Sequence, residues 1–176
     1  MAPSPLQREL GKKKPFDCLE QEVALNLFRT TDLVSREGAA LFERHGVSAQ
    51  QFNVLRILRG HRATGLPCQK IVAQMVTQMP DITRLVDRLE ASGLVRRERT
   101  EEDRRLVIVH ITPAGTDLLA GLDQPILDLH RTQMRHMTRA ELAELNRLLA
   151  KLRQRGATAA APAGKKRRRL DRAGAG

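Results

Sequence analysis

The stretch Asp81-Ile82-Thr83-Arg84-Leu85-Val86-Asp87-Arg88-Leu89-Glu90 decides how this chain is read. Ile82, Leu85, Val86 and Leu89 fall at helical spacing and give one apolar face, which Gly93 terminates. The other face carries Asp81, Thr83, Arg84, Asp87 and Arg88. Upstream, Gln78-Met79-Pro80-Asp81 interrupts the pattern, and before it Pro67 suits the first position of a short helix bearing Ile71, Val72, Met75 and Val76. Downstream, Leu94 to Arg99 and Leu106 to Ile111 are rich in β-formers or alternate in polarity, and the polar segment Thr100 to Arg105 joins them as a single hairpin. Two short helices, a tight turn between them and a hairpin after the second outline a winged helix-turn-helix. In that geometry the second helix enters a DNA major groove and the hairpin tip reaches the neighbouring minor groove or backbone.

The candidate contacts on the helix are Gln78, Pro80, Asp81, Thr83, Arg84 and Arg88. Thr83 and Arg84 stand near its amino end, where side chains and terminal N–H groups reach phosphates and base edges. Two readings of the arginines stay open: contact with DNA, with Arg84 the candidate for guanine, or pairing with Asp81 and Asp87 on a solvated face. The candidates in the wing are Arg97, Asp103, Arg104 and Arg105. Two adjacent arginines beside an acid that orients one of them suit a narrow minor groove.

Working outward, residues 17–45 contain no proline and place Val23, Leu27, Val34 and Leu41 at near-helical intervals. One helix of that length spans about 40 Å, more than a small domain needs for its own core. His45-Gly46 stops it, and Ser48 with Gln51 predicts a capping box for a helix over 48–59. After the hairpin, Thr112-Pro113 opens a helix through Leu118, Leu119 and Leu122, which Pro125 is placed to kink on the way to Met137. Thr138 with Glu141 caps a last helix carrying Leu142, Leu145, Leu148, Leu149 and Leu152. The fold class is therefore mainly α with a small β-hairpin wing, and the apolar faces of the first and last helices ask for a second copy. The expected division is a flexible basic extension over 1–16, a first dimerisation helix over 17–45, a DNA-binding lobe over 46–112, C-terminal dimerisation helices over 113–155 and a disordered basic tail over 156–176.

The chain carries a net charge of +11, but between Asp17 and Arg155 it holds 21 basic and 18 acidic residues. Most of the surplus thus lies in the two ends, around Lys12 to Lys14 and Lys165 to Arg169, and charge alone does not prove a DNA-binding core. Each basic run reads either as a solvated tail or as a nonspecific phosphate-binding arm. Cys18 and Cys68 form no disulfide framework or paired metal motif, and His130 and His136, six residues apart, do not share a helical face. No phosphate-binding glycine loop, nucleophile elbow or acid pair stands out, so no enzyme, cofactor or metal is expected. An aromatic content of 2% argues against a base-stacking platform for single strands. No apolar run nears the roughly 20 residues of a membrane span, and the expected location is the bacterial or archaeal cytosol, at the nucleoid.

The run from Pro80 to Glu90, then Ser92-Gly93-Leu94-Val95-Arg96-Arg97, Asp103-Arg104-Arg105 and Ile111-Thr112-Pro113-Ala114-Gly115, resembles the multiple-antibiotic-resistance regulator (MarR) family. The resemblance covers residues 17–155. It implies a triangular homodimer whose first, fifth and sixth helices interlock, each half holding one half of a pseudo-palindromic operator, with Arg105 oriented by Asp103 into the minor groove. It also implies a regulator of transcription, a repressor, that answers to a small phenolic or aromatic acid in a crevice lined by Ala24, Phe28 and Arg29. Some relatives instead sense peroxides through a cysteine in the first helix assisted by tyrosines. Here Ala24 takes that cysteine's place and the chain has no tyrosine, while Cys18 and Cys68 suit packing. The alternatives to an effector-released regulator are a redox-sensing one and a nonallosteric architectural DNA binder driven by the basic tails.

Overall fold

The computed structural model describes residues 2–78, 81–99 and 106–159, the side chains of 155–159 excepted. It divides into two compact units, which part between Gln133 and Met134.

The first unit opens with a short helix, α1 (Pro5–Glu9), inside the segment expected to be an extension. Ser4 caps it by accepting from the Gln7 N–H, and Leu6 is 2% exposed. One leucine in a five-residue helix is too short a pattern for periodicity to register. Next comes α2 (Leu19–Arg44), an unbroken helix that buries only Leu41. α3 (Ala49–Gly60) follows with the expected capping box: Gln51 N–H donates to Ser48 Oγ at 3.2 Å and Ser48 N–H to Gln51 Oε1 at 2.8 Å.

β1 is only Leu66–Pro67, and α4 spans Cys68–Gln74. Pro67 therefore ends a strand and precedes α4 instead of opening it. The helix also stops short of Met75 and Val76. Met75 turns extended, and Val76 is 86% exposed, its N–H held by Asn53 Oδ1 at 2.9 Å. α5 (Ile82–Ala91) buries Leu85, Val86 and Leu89. Gly93, at φ +70°, then reverses the chain through the left-handed region that only glycine enters without cost.

β2 (Val95–Arg99) pairs antiparallel with β3 (Val107–Ile111), with Val95 opposite Ile111 and Arg99 opposite Val107. The hairpin is part of a three-stranded sheet in the order β1-β3-β2. β1 takes an edge of the sheet, the position in which proline is tolerated. Two residues among turn formers carry no strand signal, which is why the sequence showed a hairpin alone.

α6 (Pro113–Met134) runs as one helix with Pro125 inside it. Thr112 welds its start to the lobe. The Thr112 hydroxyl donates to Gly93 O at 2.8 Å and accepts from the Gly115 N–H at 3.1 Å, while the Thr112 N–H donates to Leu94 O at 3.1 Å. The core gathers Leu55, Leu58, Ile71, Val86, Leu89, Val109, Leu119 and Leu122, all essentially without exposure. α3, α4, α5, the sheet and the first half of α6 thus close around one apolar centre.

The second unit is α7 (Arg139–Ala159), capped by Thr138 and Glu141 in reciprocal hydrogen bonds. Leu145, Leu148 and Leu152 are 40–51% exposed on it. Among the described residues no helix is long and apolar enough to cross a membrane.

Candidate nucleic-acid interface

The apolar face of α5 is consumed by the core, so its polar face is the one presented outward. Asp81 caps the helix, accepting from the Arg84 N–H at 3.0 Å, and its second oxygen lies 3.0 Å from Arg84 Nε. That ion pair is weak, because the Arg84 side chain is 81% exposed and an exposed pair contributes at most about 1 kcal/mol. Arg84 is held near the helix start and can leave its partner for a phosphate or a base. Thr83 and Arg88 are exposed, and Arg88 has no ion-pair partner among the described residues. Gln78 is exposed in the turn before the helix, and Pro80 lies outside the described residues.

Arg97 is placed differently from the expectation of a DNA contact. It sits on β2 with its guanidinium folded against α5, 2.7 Å from Asp87 Oδ1 and 2.7 Å from Glu90 Oε2, and its Nη2 donates to Thr83 O at 3.3 Å. Its own backbone N–H donates to Glu90 Oε1 at 2.9 Å. The side chain is 24% exposed. Burial opposes its charge, but the hydrogen bonds it donates to the Asp87 and Glu90 carboxylates outweigh that and raise its pKa. A sequence shows that an arginine sits in a wing strand, but not which way the strand faces it.

Elsewhere on the sheet Arg96 pairs with Glu98, which holds that carboxyl below its usual range, and His110 Nε2 lies 3.6 Å from the same carboxylate. Asp103, Arg104 and Arg105, in the segment joining β2 to β3, lie outside the described residues, as do Lys165 to Arg169.

A cavity of about 1180 Å³ lies in the first unit beside this lobe. One face of α2 between Val34 and Glu43 lines it, α3 contributes Phe52, Asn53, Arg56 and Ile57, α6 contributes one face between Ile126 and Gln133, and Val76 and Thr77 contribute from the segment before α5. Ala24, Phe28 and Arg29, the residues expected to line a crevice, are not part of it. They lie on earlier turns of α2, where Phe28 is 73% exposed and Arg29 Nε is 3.9 Å from Glu9 on α1. Sequence reasoning missed Arg56 and Val76. The Arg56 guanidinium lies 5.8 Å from the centre of the Phe52 ring, and nearby Asp123 is engaged by Arg59 in two hydrogen bonds of 2.8 and 2.9 Å. Neither carried a signal in the sequence, because the exposure of Val76 and the place of Arg56 beside the Phe52 ring are tertiary.

Cys18 is exposed at the start of α2, and Cys68 is half-buried at the start of α4. Burial pushes the Cys68 thiol up, against the pull of Arg97, which disfavours the reactive thiolate. Among the described residues no group of three His, Cys, Asp or Glu side chains is arranged to hold a metal.

The model of the MarR family matches residues 47–107, the lobe just described. The chain is 42% identical to a MarR transcription factor of known structure from Planctomyces limnophilus, over 77% of this chain and 98% of that one, with a TM-score of 0.61. It is 26% identical over 135 residues to the HTH-type transcriptional regulator MgrA of Staphylococcus aureus, covering 76% of this chain and 89% of MgrA. A shorter match, 38% identical over 76 residues, covers 43% of this chain and 46% of the uncharacterized HTH-type transcriptional regulator YfiV of Bacillus subtilis.

Proposed function

Since the chain belongs to the MarR family of DNA-binding winged helix-turn-helix transcriptional regulators, we propose that it acts as a homodimeric repressor, released from a pseudo-palindromic operator by a small aromatic acid. The observation that carries this reading is the outward face of α5, where Thr83, Arg84 and Arg88 stand exposed beside a hairpin rooted on the same helix. A helix with that face inserts into the major groove, and Arg104 and Arg105 extend the grip from the wing. The chain works by binding and not by catalysis, in the cytoplasm.

Dimerisation is supported by the apolar residues that α2 and α7 each leave in solvent. Leu19, Phe28 and Leu33 on α2 are more than half exposed, and Leu145, Leu148 and Leu152 on α7 nearly so. Surface of that kind on a monomer marks an association site. A two-fold dimer presents two α5 helices, which matches an operator with two half-sites about one helical turn apart.

The cavity is where we place the effector, in preference to the earlier turns of α2. Its walls are apolar at Val34, Phe42, Phe52 and Ile126, and Arg56 and His130 stand in its lining as donors for a carboxylate. Val76 and Thr77 couple an occupant to the turn that enters α5, so filling the cavity changes where the recognition helix sits.

One titration tests the whole reading. A duplex enriched by the protein from a randomised pool is labelled, and its anisotropy is followed with wild type and with Arg88→Ala, then with benzoate-type acids added. We expect two chains per duplex, a two-fold consensus, a loss of about 1–3 kcal/mol for Arg88→Ala, and release by at least one acid. Enrichment of no sequence would refute operator recognition in favour of an architectural binder. Release by peroxide but by no acid would favour redox control.

A further inference from the structure

The recognition helix has a charge problem. Taken with its cap, residues 81–91 contain Asp81, Asp87 and Glu90 against Arg84 and Arg88, so the element that must approach a polyanion carries one net negative charge. Asp87 and Glu90 face β2, and the sheet supplies the answer in a single residue. Arg97 reaches both carboxylates at 2.7 Å and the Thr83 carbonyl at 3.3 Å, touching α5 at three places over two turns, while its backbone N–H takes the other oxygen of Glu90.

Resting on the DNA-binding reading above, we propose that Arg97 is a positioning residue for recognition: it sets the angle of α5 against the first wing strand and masks the two acids that would repel phosphates. The fold does not need this clamp to hold α5, because Leu85, Val86 and Leu89 are buried beneath the helix. Hydrophobic burial fixes that the helix packs, but it is nondirectional and tolerates rotation by a few degrees. A forked guanidinium gripping three successive points fixes which few degrees. Because the same arginine belongs to β2, rotating the helix rotates the root of the wing with it. Major-groove and wing contacts are thereby kept in one register.

The two roles separate by substitution. Arg97→Met removes clamp and charge. Arg97→Lys keeps the charge and loses the fork. Arg97→Met combined with Asp87→Asn and Glu90→Gln removes the clamp but leaves nothing to mask. Each full-length variant is checked for fold by circular dichroism and titrated by anisotropy against two probes, the duplex selected by wild type and a scrambled duplex of equal length, at several salt concentrations.

Arg97→Met should weaken binding to both probes, and to the selected duplex by about tenfold more than to the scrambled one. The triple variant should regain the wild-type affinity and salt slope on the scrambled duplex without regaining the preference. Arg97→Lys should hold scrambled-duplex affinity and lose part of the preference, and it carries the test alone if Arg97→Met does not fold. A folded variant lacking the fork with an unchanged ratio between the two probes would overturn the proposal, and so would full recovery of that ratio in the triple variant. Failure of wild type to select any duplex would instead refute the operator reading itself.

Discussion

α5 and α2 are both amphipathic helices, yet they use their apolar faces in opposite ways. α5, at ten residues, buries Leu85, Val86 and Leu89 within its own chain. α2, at 26 residues, buries one, Leu41, and leaves Leu19, Phe28 and Leu33 more than half in solvent. The shorter helix is complete inside the lobe and presents Thr83, Arg84, Asp87 and Arg88 outward, which suits a surface meant for DNA. The longer one is buried only near its carboxyl end, where it meets the cavity, and its amino-terminal turns leave their apolar side chains exposed.

That contrast is tested most strongly by truncating one leucine on each helix. Leu89→Ala opens a cavity in the closed core and should cost about 2–5 kcal/mol in urea or thermal unfolding. Leu33→Ala removes a side chain that is 54% exposed and should leave the chain's own folding within about 0.5 kcal/mol. Its effect should appear as a weaker monomer–dimer equilibrium in sedimentation. Equal unfolding costs for the two, with no change in association for the second, would break the distinction.

The next effect in size concerns how the lobe is tied to α6. A Cβ added at Gly115 would lie 2.3 Å from the carbonyl oxygen of Leu94 and 2.9 Å from Ile111, and backbone cannot give way as a side-chain tip can. Gly115→Ala should therefore cost about 1–3 kcal/mol by prying the start of α6 from the turn after α5, read as a lower melting midpoint. A stability equal to wild type would show that this junction is looser than the Thr112 hydrogen bonds imply.

Helices with caps and complete stripes were legible in the sequence because their signals are local. Ser48, Gln51, Thr138 and Glu141 announce their own hydrogen bonds, and Leu85, Val86 and Leu89 announce a buried face. Thr112 and Gly115 were legible as a motif, but the reason for it, a threonine bridging two elements beside a glycine pressed on a carbonyl, is tertiary. β1 was not legible, since two residues have no period and their partner, β3, lies about 40 positions away. The partners of Arg97 and the place of the cavity were not legible for the same reason. Whether an arginine meets DNA or two carboxylates depends on which face of a neighbouring helix stands opposite. The resemblance implies a crevice around Phe28, whereas the space between α2, α3 and α6 opens only from Val34 onward.

The smallest expected effect lies on the polar side of the lobe's own closure. Arg59 on α3 grips Asp123 on α6 with two hydrogen bonds, and their pairing draws the Asp123 carboxyl below its ordinary range while raising the Arg59 pKa. A carboxyl lowered on folding stabilises the native state above its unfolded pKa of about 3.9, and that contribution is lost as pH falls through the lower folded value. Because the Asp123 side chain is 45% exposed, solvent screens the pair and the contribution should be under about 1 kcal/mol. Asp123→Asn should accordingly melt slightly below wild type at neutral pH and coincide with it in strong acid. If the gap instead widened as pH fell, the Asp123 carboxyl would be raised and not lowered on folding, and its pairing with Arg59 could not be what it contributes to the contact between α3 and α6.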